Sequence, residues 1–348
     1  MSYEPVDRLP VLALEPFEPS ALARWRREGL PEGADPVDFL GMSRLVHVPC
    51  NLDPIPAYEP TIVAEHKDSY DQVSAMGAIV RHRRDDPEMF YGHIDHPVKT
   101  PQDWEQYRRR FEPDTPGRVP ADWAAEAGRF NDSEDPVGIC LFPFFFRFGF
   151  YAMGMERFLT ALYDMPDVIH GMFECVSRLA MAAIELVPSD MRIDFALFAE
   201  DLAGKNGPLI SPQTYAKFWH PHQDPIIEML KDHDVPVVCQ WSSGRFQELL
   251  PGMLAHGFNC AWPLEAIAGM DSLALRRAFG PSLRLAGNIP KEAVIAGPQA
   301  IDREIDRLMP LIEEGGFIPA LDDMASPDMP FAHYRCLIER LQAVRLSI

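Results

Sequence analysis

The chain has 348 residues, 47% of them hydrophobic, with a formal net charge of −20 at pH 7. That is enough apolar material for a large core and too much for a disordered chain. The acidic excess argues against sequence-independent binding to nucleic acid or to an anionic membrane surface, and no apolar run approaches the roughly 20 residues needed to cross a bilayer.

The first 60 residues are rich in proline. VDRLPVLAL reads as a short entry strand, and SRLVHVPCNLDPIP as a second strand running into a loop. TIVAEHKDSYDQVSAMGAIVRHRR then predicts an antiparallel β-hairpin turning at Ser74–Gly77. In KTPQDWEQYRRRF, Trp104, Tyr107 and Phe111 recur at helical spacing, with Thr100 as the N-cap and Pro101 in the first turn. The two basic runs, Arg81, Arg83, Arg84 and Arg108–Arg110, read as solvated faces. The N-terminus lacks a basic-then-apolar secretory pattern, so the expected location is the cytoplasm. The six cysteines are widely spaced with no CxxC pair, which argues against a disulfide framework or a zinc finger.

From about residue 136 the pattern changes to alternation. PVGICLFPFFF, IDFALFAED, PVVCQWSSG, FNCAWPLEA, LRLAGNIP and GFIPALDD are short apolar strands. Between them lie helical stretches, one broken near Pro166 and one interrupted at Pro221. Strands that are apolar on both faces and alternate with helices imply a parallel sheet. No GxGxxG or GxxxxGK[ST] fingerprint follows a strand, which leaves a (β/α)8 TIM-type barrel ahead of an open nucleotide-binding sheet. The expectation is one domain over 1–348. Residues 1–135 form an N-terminal extension with the hairpin and first barrel elements, and 136–348 the main βα repeats.

In such a barrel the chemistry sits at the C-terminal strand ends. Those positions hold Glu200, Asp201 and Lys205; Cys239, Gln240, Trp241, Ser242 and Ser243; Glu265; Asn288 and Lys291; and Asp322 and Asp323. Each also has a structural reading. Glu200 and Asp201 suit a helix N-terminus. Asp322 and Asp323 suit a turn, and Asn288 a cap. Cys239 suits a buried small residue, and Lys291 a solvated first turn. His220 and His222, flanking Pro221, are surface histidines or face the barrel mouth. Phe146, Arg147 and Phe148 read either as core leading into a helix or as an apolar wall with one cation for a flat, methoxylated or anionic substrate. Acids converging on one barrel face suit a cation, a metal or proton transfer.

EDLAGKNGPLISPQTYAKFWHP, SSGRFQELLP, GFNCAWPLEA, LAGNIPKEAV and GGFIPALDD follow one another in an order and spacing that resemble the uroporphyrinogen-decarboxylase-like superfamily. VDRLPV and HPVKTPQDWEQYRRRF resemble its N-terminal region more loosely. The resemblance runs over residues 6 to 345 and implies a (β/α)8 barrel with one deep cleft. It implies one of two activities: metal-free decarboxylation in haem synthesis, or methyl transfer to or from a corrinoid protein, often with zinc. The arginine-rich N-terminal segment of the decarboxylases is not matched, since Arg8 stands alone. Where the zinc methyltransferases carry His-x-Cys, this chain has Trp241-Ser242-Ser243 before the shared Gly244. The resemblance is closest to an uncharacterised, corrinoid-methyltransferase-like branch rather than to the haem-pathway decarboxylase.

These readings predict a methyltransferase-like enzyme that moves a methyl group between a small methylated or methoxylated compound and a corrinoid protein or folate. The cobalamin or folate would reside on a partner. Glu200, Asp322 and Asp323 are the expected catalytic acids. Arg147, Phe146, Phe148, Asp201, Gln240, Trp241, Ser243, Glu265 and Asn288 are the expected substrate contacts. A divalent metal such as zinc would draw on Glu200, His220, His222, Cys239 or Asp322. The alternatives are a decarboxylase or lyase of a small acid, and a non-catalytic binding subunit. The oligomeric state is left open, a homodimer included.

Overall fold

Seven short strands line up side by side in the order in which the chain makes them. In the computed structural model, which describes residues 1, 3, 8–85 and 90–346, they are β1 (Val46–Val48), β2 (Val137–Leu141), β3 (Phe195–Glu200), β4 (Val238–Ser242), β5 (Cys260–Trp262), β6 (Arg284–Ile289) and β7 (Phe317–Leu321). All neighbours are parallel, and each new strand is added on the same side of the last. Helices fill the connections from β2 onward, as parallel pairing requires. Adding strands always on one side winds the sheet in one sense and curls it, whereas a doubly wound sheet reverses at a switch point.

The segment Leu12–Phe17 touches both edges of this curl. Leu12–Ala13 pairs in parallel with Ser43–Arg44, just before β1, and Phe17 makes a parallel bridge to Ala325, just after β7. The Trp25 indole N–H donates to the Met329 carbonyl at 2.8 Å and fastens the following helix to the same edge. The start of the predicted entry strand, Val6 and Asp7, lies outside the described residues.

Alternation along each strand splits the apolar residues into two cores. Phe195, Leu197, Cys239, Cys260, Trp262, Ala286 and Ile318 meet inside the curl. Ala196, Phe198, Val238, Ala261, Leu285 and Phe317 face the helices in the larger outer core. All six cysteines are free.

The segment read as a hairpin is part of a larger antiparallel sheet. Its four strands, Ile62–Glu65, Ser69–Val73, Ile79–Arg83 and Phe90–Asp95, pair in sequence order. The turn runs through Gly77, whose positive φ of 86° suits a residue without a side chain. Arg81 is one of the basic run, and its Nε donates to the buried Asp71 at 2.6 Å. Thr100 caps the helix Pro101–Tyr107 in a capping box with Asp103. The expected interruption at Pro221 is found two residues earlier, at Trp219. One helix ends at Phe218, and Pro221 sits in the first turn of the next, His220–Asp232, where a missing N–H costs nothing.

Candidate active site

The C-terminal strand ends carry two sets of polar side chains on opposite sides of the sheet. Asp201, Trp241 and Ser243 continue the inward register of Phe195–Leu197 and of Cys239. Glu200, Gln240 and Ser242 continue the outward register.

The inward set forms a connected group. Asp201 binds the Arg147 guanidinium (Nη2 to Oδ2, 2.8 Å) and accepts a hydrogen bond from Ser243 Oγ at 2.8 Å. Arg147 enters from the helix Phe145–Met153 and lies over the rings of Trp241, at 4.8 Å, and Phe142, at 5.1 Å. The Trp241 indole N–H donates to Glu15 Oε1 at 2.7 Å. Lys291 pairs with Asp323. Glu265 lies near the Gly244 backbone N–H and feels the charges of Asp323, Lys291 and Asp201. Gly244 has a φ of +72°, and a Cβ there would lie 2.6 Å from the Ala203 carbonyl oxygen, so only glycine lets the chain turn at this point. Arg147 and Lys291 thus share the mouth with four carboxyl groups, Glu15, Asp201, Glu265 and Asp323.

Burial pushes the Glu15 carboxyl up to about 7, against the opposing effect of the Trp241 N–H. Burial likewise raises Asp201, opposed by Arg147 and Ser243, and Glu265, opposed by the Gly244 N–H. For Lys291 burial acts in the other direction, but the Asp323 carboxylate outweighs it and the ammonium is held charged. A carboxyl poised near neutrality, beside fixed charges and an aromatic wall, is suited to giving up and regaining a proton.

Several expected site residues lie behind the mouth. Glu200 is fully buried. One of its oxygens accepts the Phe146 backbone N–H at 2.6 Å and the other the Trp219 indole N–H at 2.9 Å. Burial raises its carboxyl to about 8. Gln240 is fully buried and donates to the Phe198 and Trp241 carbonyls at 3.1 and 2.9 Å. Asn288 has a φ of 67° and follows Gly287 at 94°. These two left-handed residues break the strand alternation. They aim the Asn288 amide at Ser272 and at the Leu264 and Met270 carbonyls. Asp322 accepts the backbone N–H groups of Ala266 (2.9 Å) and Lys291 (3.0 Å), and burial raises it to about 6. These four brace the loops whose other residues form the mouth.

The aromatic wall also differs in membership from the sequence expectation. Phe146 and Phe148 are fully buried. Phe146 packs edge-on against Phe158, and Phe148 against Trp104 and Phe111. The wall beside Arg147 is Phe142, 44% exposed, with Trp241. Glu15 was not among the expected residues, because it lies on an N-terminal segment far in sequence from every strand-end motif.

The zinc that the resemblance implies does not fit these residues. Trp241, Ser242 and Ser243 stand where the resemblance implies its usual ligands. The Ser242 hydroxyl donates to the Ser243 carbonyl and accepts from Leu202 N, both at 2.9 Å. Indole and hydroxyl groups are poor zinc ligands. Cys239 lies in the inner core beside Cys260, and burial holds its thiol well above the usual value. His222 pairs with His170 at 3.0 Å in the helical layer. Among the described residues, no three of Glu200, His220, His222, Cys239 and Asp322 come together as a ligand set. His220 instead lies beside Asp224 and His256.

The chain belongs to the uroporphyrinogen decarboxylase (URO-D) family, whose model matches residues 131–344. In overall fold it is similar to a methyltransferase from Methanosarcina mazei. The TM-score is 0.60 at 18% sequence identity, covering 97% of this chain and 94% of the other. No curated protein matches the sequence. No helix among the described residues is long and apolar enough to cross a membrane.

Proposed function

We propose that this chain is a methyltransferase that takes a methyl group from a small neutral or cationic donor, and that Glu15 supplies the proton the leaving group needs. The observation that carries the reading is a carboxyl poised at about 7. It lies in a mouth that also holds an arginine stacked on Trp241 and Phe142. The likeness to a structure named as a methyltransferase supports it. On this reading Leu12–Ala13 is the eighth strand and closes the sheet into a (β/α)8 barrel.

In the proposed step the bond between the methyl carbon and an oxygen, nitrogen or sulfur breaks, and its electron pair stays on the heteroatom. For a neutral donor the Glu15 proton passes to that heteroatom, which converts a poor leaving group into a neutral one; a cationic donor leaves as a neutral molecule, and the Glu15 proton is taken up by the freed heteroatom afterwards. A lone pair from a nucleophilic acceptor forms the new bond to carbon. That acceptor, of the corrinoid or folate class, is brought by a partner. Four carboxyl groups against two cations disfavour a polycarboxylate substrate and favour a neutral or cationic methyl donor. Trp241 and Phe142 hold the donor's flat or methylated body.

The test offers methoxyaromatics, methylamines and thioethers to the protein with cob(I)alamin or a reduced folate as acceptor. The expected product is the methylated acceptor, formed at least about 100-fold more slowly by Glu15→Gln. No transfer from any donor to either acceptor would sink the proposal. Arg147 and Lys291 support a second reading, a decarboxylase or lyase in which they hold a small acid's carboxylate. Carbon dioxide release without a methylated acceptor would decide for it.

A further inference from the structure

His220 and Asp224 stand four residues apart on the helix His220–Asp232, and so share one face. His256 follows the helix Leu250–Ala255 directly and meets that face. One ligand atom from each of the three residues lies within 4.8 Å of the other two. The two imidazole rings are perpendicular, with centroids 3.5 Å apart, and His256 Nδ1 lies 2.8 Å from Asp224 Oδ1. A packed ion pair would account for His256 and Asp224. It does not account for His220, which is only 7% exposed and whose Nδ1 has no hydrogen-bond partner. A buried imidazole nitrogen left without a partner is costly unless something else binds there.

From this geometry we infer a site for a divalent transition metal of the zinc class, held by His220, Asp224 and His256 with water as the fourth ligand. Two neutral imidazoles and one carboxylate are a donor set that such ions accept. Tetrahedral ligand atoms lie about 3.3 Å apart at zinc bond lengths, and the centres of two bound imidazoles roughly 5 Å apart, so the Asp224–His256 contact has to open by roughly half an ångström and His256 has to swing away from the His220 ring by roughly 1.5 Å. Both side chains are more than a third exposed and free to give that much. The ion would brace the start of the helix preceded by Trp219, whose indole holds Glu200. The site lies in the helical layer and takes no part in the methyl-transfer step.

The experiment loads the full-length chain with Zn²⁺, desalts it and measures bound metal, with Co²⁺ absorption reporting the ligand field. One equivalent per chain is expected, together with a rise in thermal midpoint. His256→Ala and Asp224→Asn, both at half-exposed positions, should lose the equivalent and the rise, with affinity falling about 100-fold or more. Glu265→Gln and Asp323→Asn in the mouth should keep both. Absence of saturable metal, binding unchanged in His256→Ala, or loss in the mouth variants instead would each overturn the assignment.

Discussion

Asp201, Trp241 and Ser243 face the mouth, while Glu200, Gln240 and Ser242, each one residue earlier, face the helices. The two sets share strands, residue types and depth along the chain, yet they do different work. Behind the sheet, Glu200 gives both oxygens to N–H donors, and Asn288 and Asp322 each tie down loop backbone. Burial there stabilises a single arrangement, because a donor deprived of its partner has no water to turn to. In the mouth the same burial leaves Glu15 with one indole donor and a carboxyl near 7. Acids on both sides are raised toward neutrality, but Glu200 and Asp322 are each committed to two N–H donors, whereas Glu15 has the single indole donor of Trp241.

The comparison breaks most sharply at its two acids. Glu15→Gln should lower turnover by about 100-fold or more while moving the thermal midpoint little. Glu200→Ala should cost about 3 kcal/mol, since two buried N–H groups lose their acceptor. Urea titration of both variants beside a methyl-transfer assay checks the pair. A Glu15 variant that unfolds, or a Glu200 variant of normal stability, would merge the two regions.

pH separates them next. Activity that needs protonated Glu15 is present below about 7 and lost as pH rises through it. The Trp241 N–H favours the carboxylate, so Trp241→Phe should move that descending limb to higher pH. Stability has the same sign. The folded chain holds the Glu200 proton more tightly than an unfolded chain does, with a carboxyl raised from 4.5 to about 8. Stability from this group is full below about 4.5 and falls as pH rises through about 8. Glu200→Gln should remove the part of that slope due to Glu200 in denaturant titrations, whereas Trp241→Phe should leave that part in place and steepen the contribution of Glu15. The smallest effect is expected from Ser243→Ala, which removes one of the two partners of Asp201. About 1 kcal/mol or less of stability and a modest rise in KM should follow.

The alternation of strands and helices was legible in the sequence because apolar runs of strand length are separated by helical ones. Asp201, Trp241, Ser243, Glu265 and Asp323 were legible as strand-end residues. Their sidedness was not taken into account. Counting in twos from Phe195 puts Asp201 inside and Glu200 outside, so the burial of Glu200 was available from the register alone. Asn288 was not available in this way, because Gly287 and Asn288 both turn left-handed and reset the count. Phe146 and Phe148 were read either as core leading into a helix or as a wall, and their full burial decides for the core. That the chain enters a helix at Phe145, and buries them among Trp104, Phe111 and Phe158, depends on tertiary packing. Glu15 was the least legible, since nothing local ties an N-terminal glutamate to Trp241.

The reach of that N-terminal segment has a bearing on how the protein is made. Glu15 lies between Ala13, paired near the first strand, and Phe17, bridged to Ala325 beyond the last. A chain growing from the ribosome therefore carries Glu15 long before Trp241 and Ala325, and has nowhere to set it until those residues have emerged. If Glu15 has the proposed role, full assembly and chemical competence arrive together, and a half-folded copy would be inert.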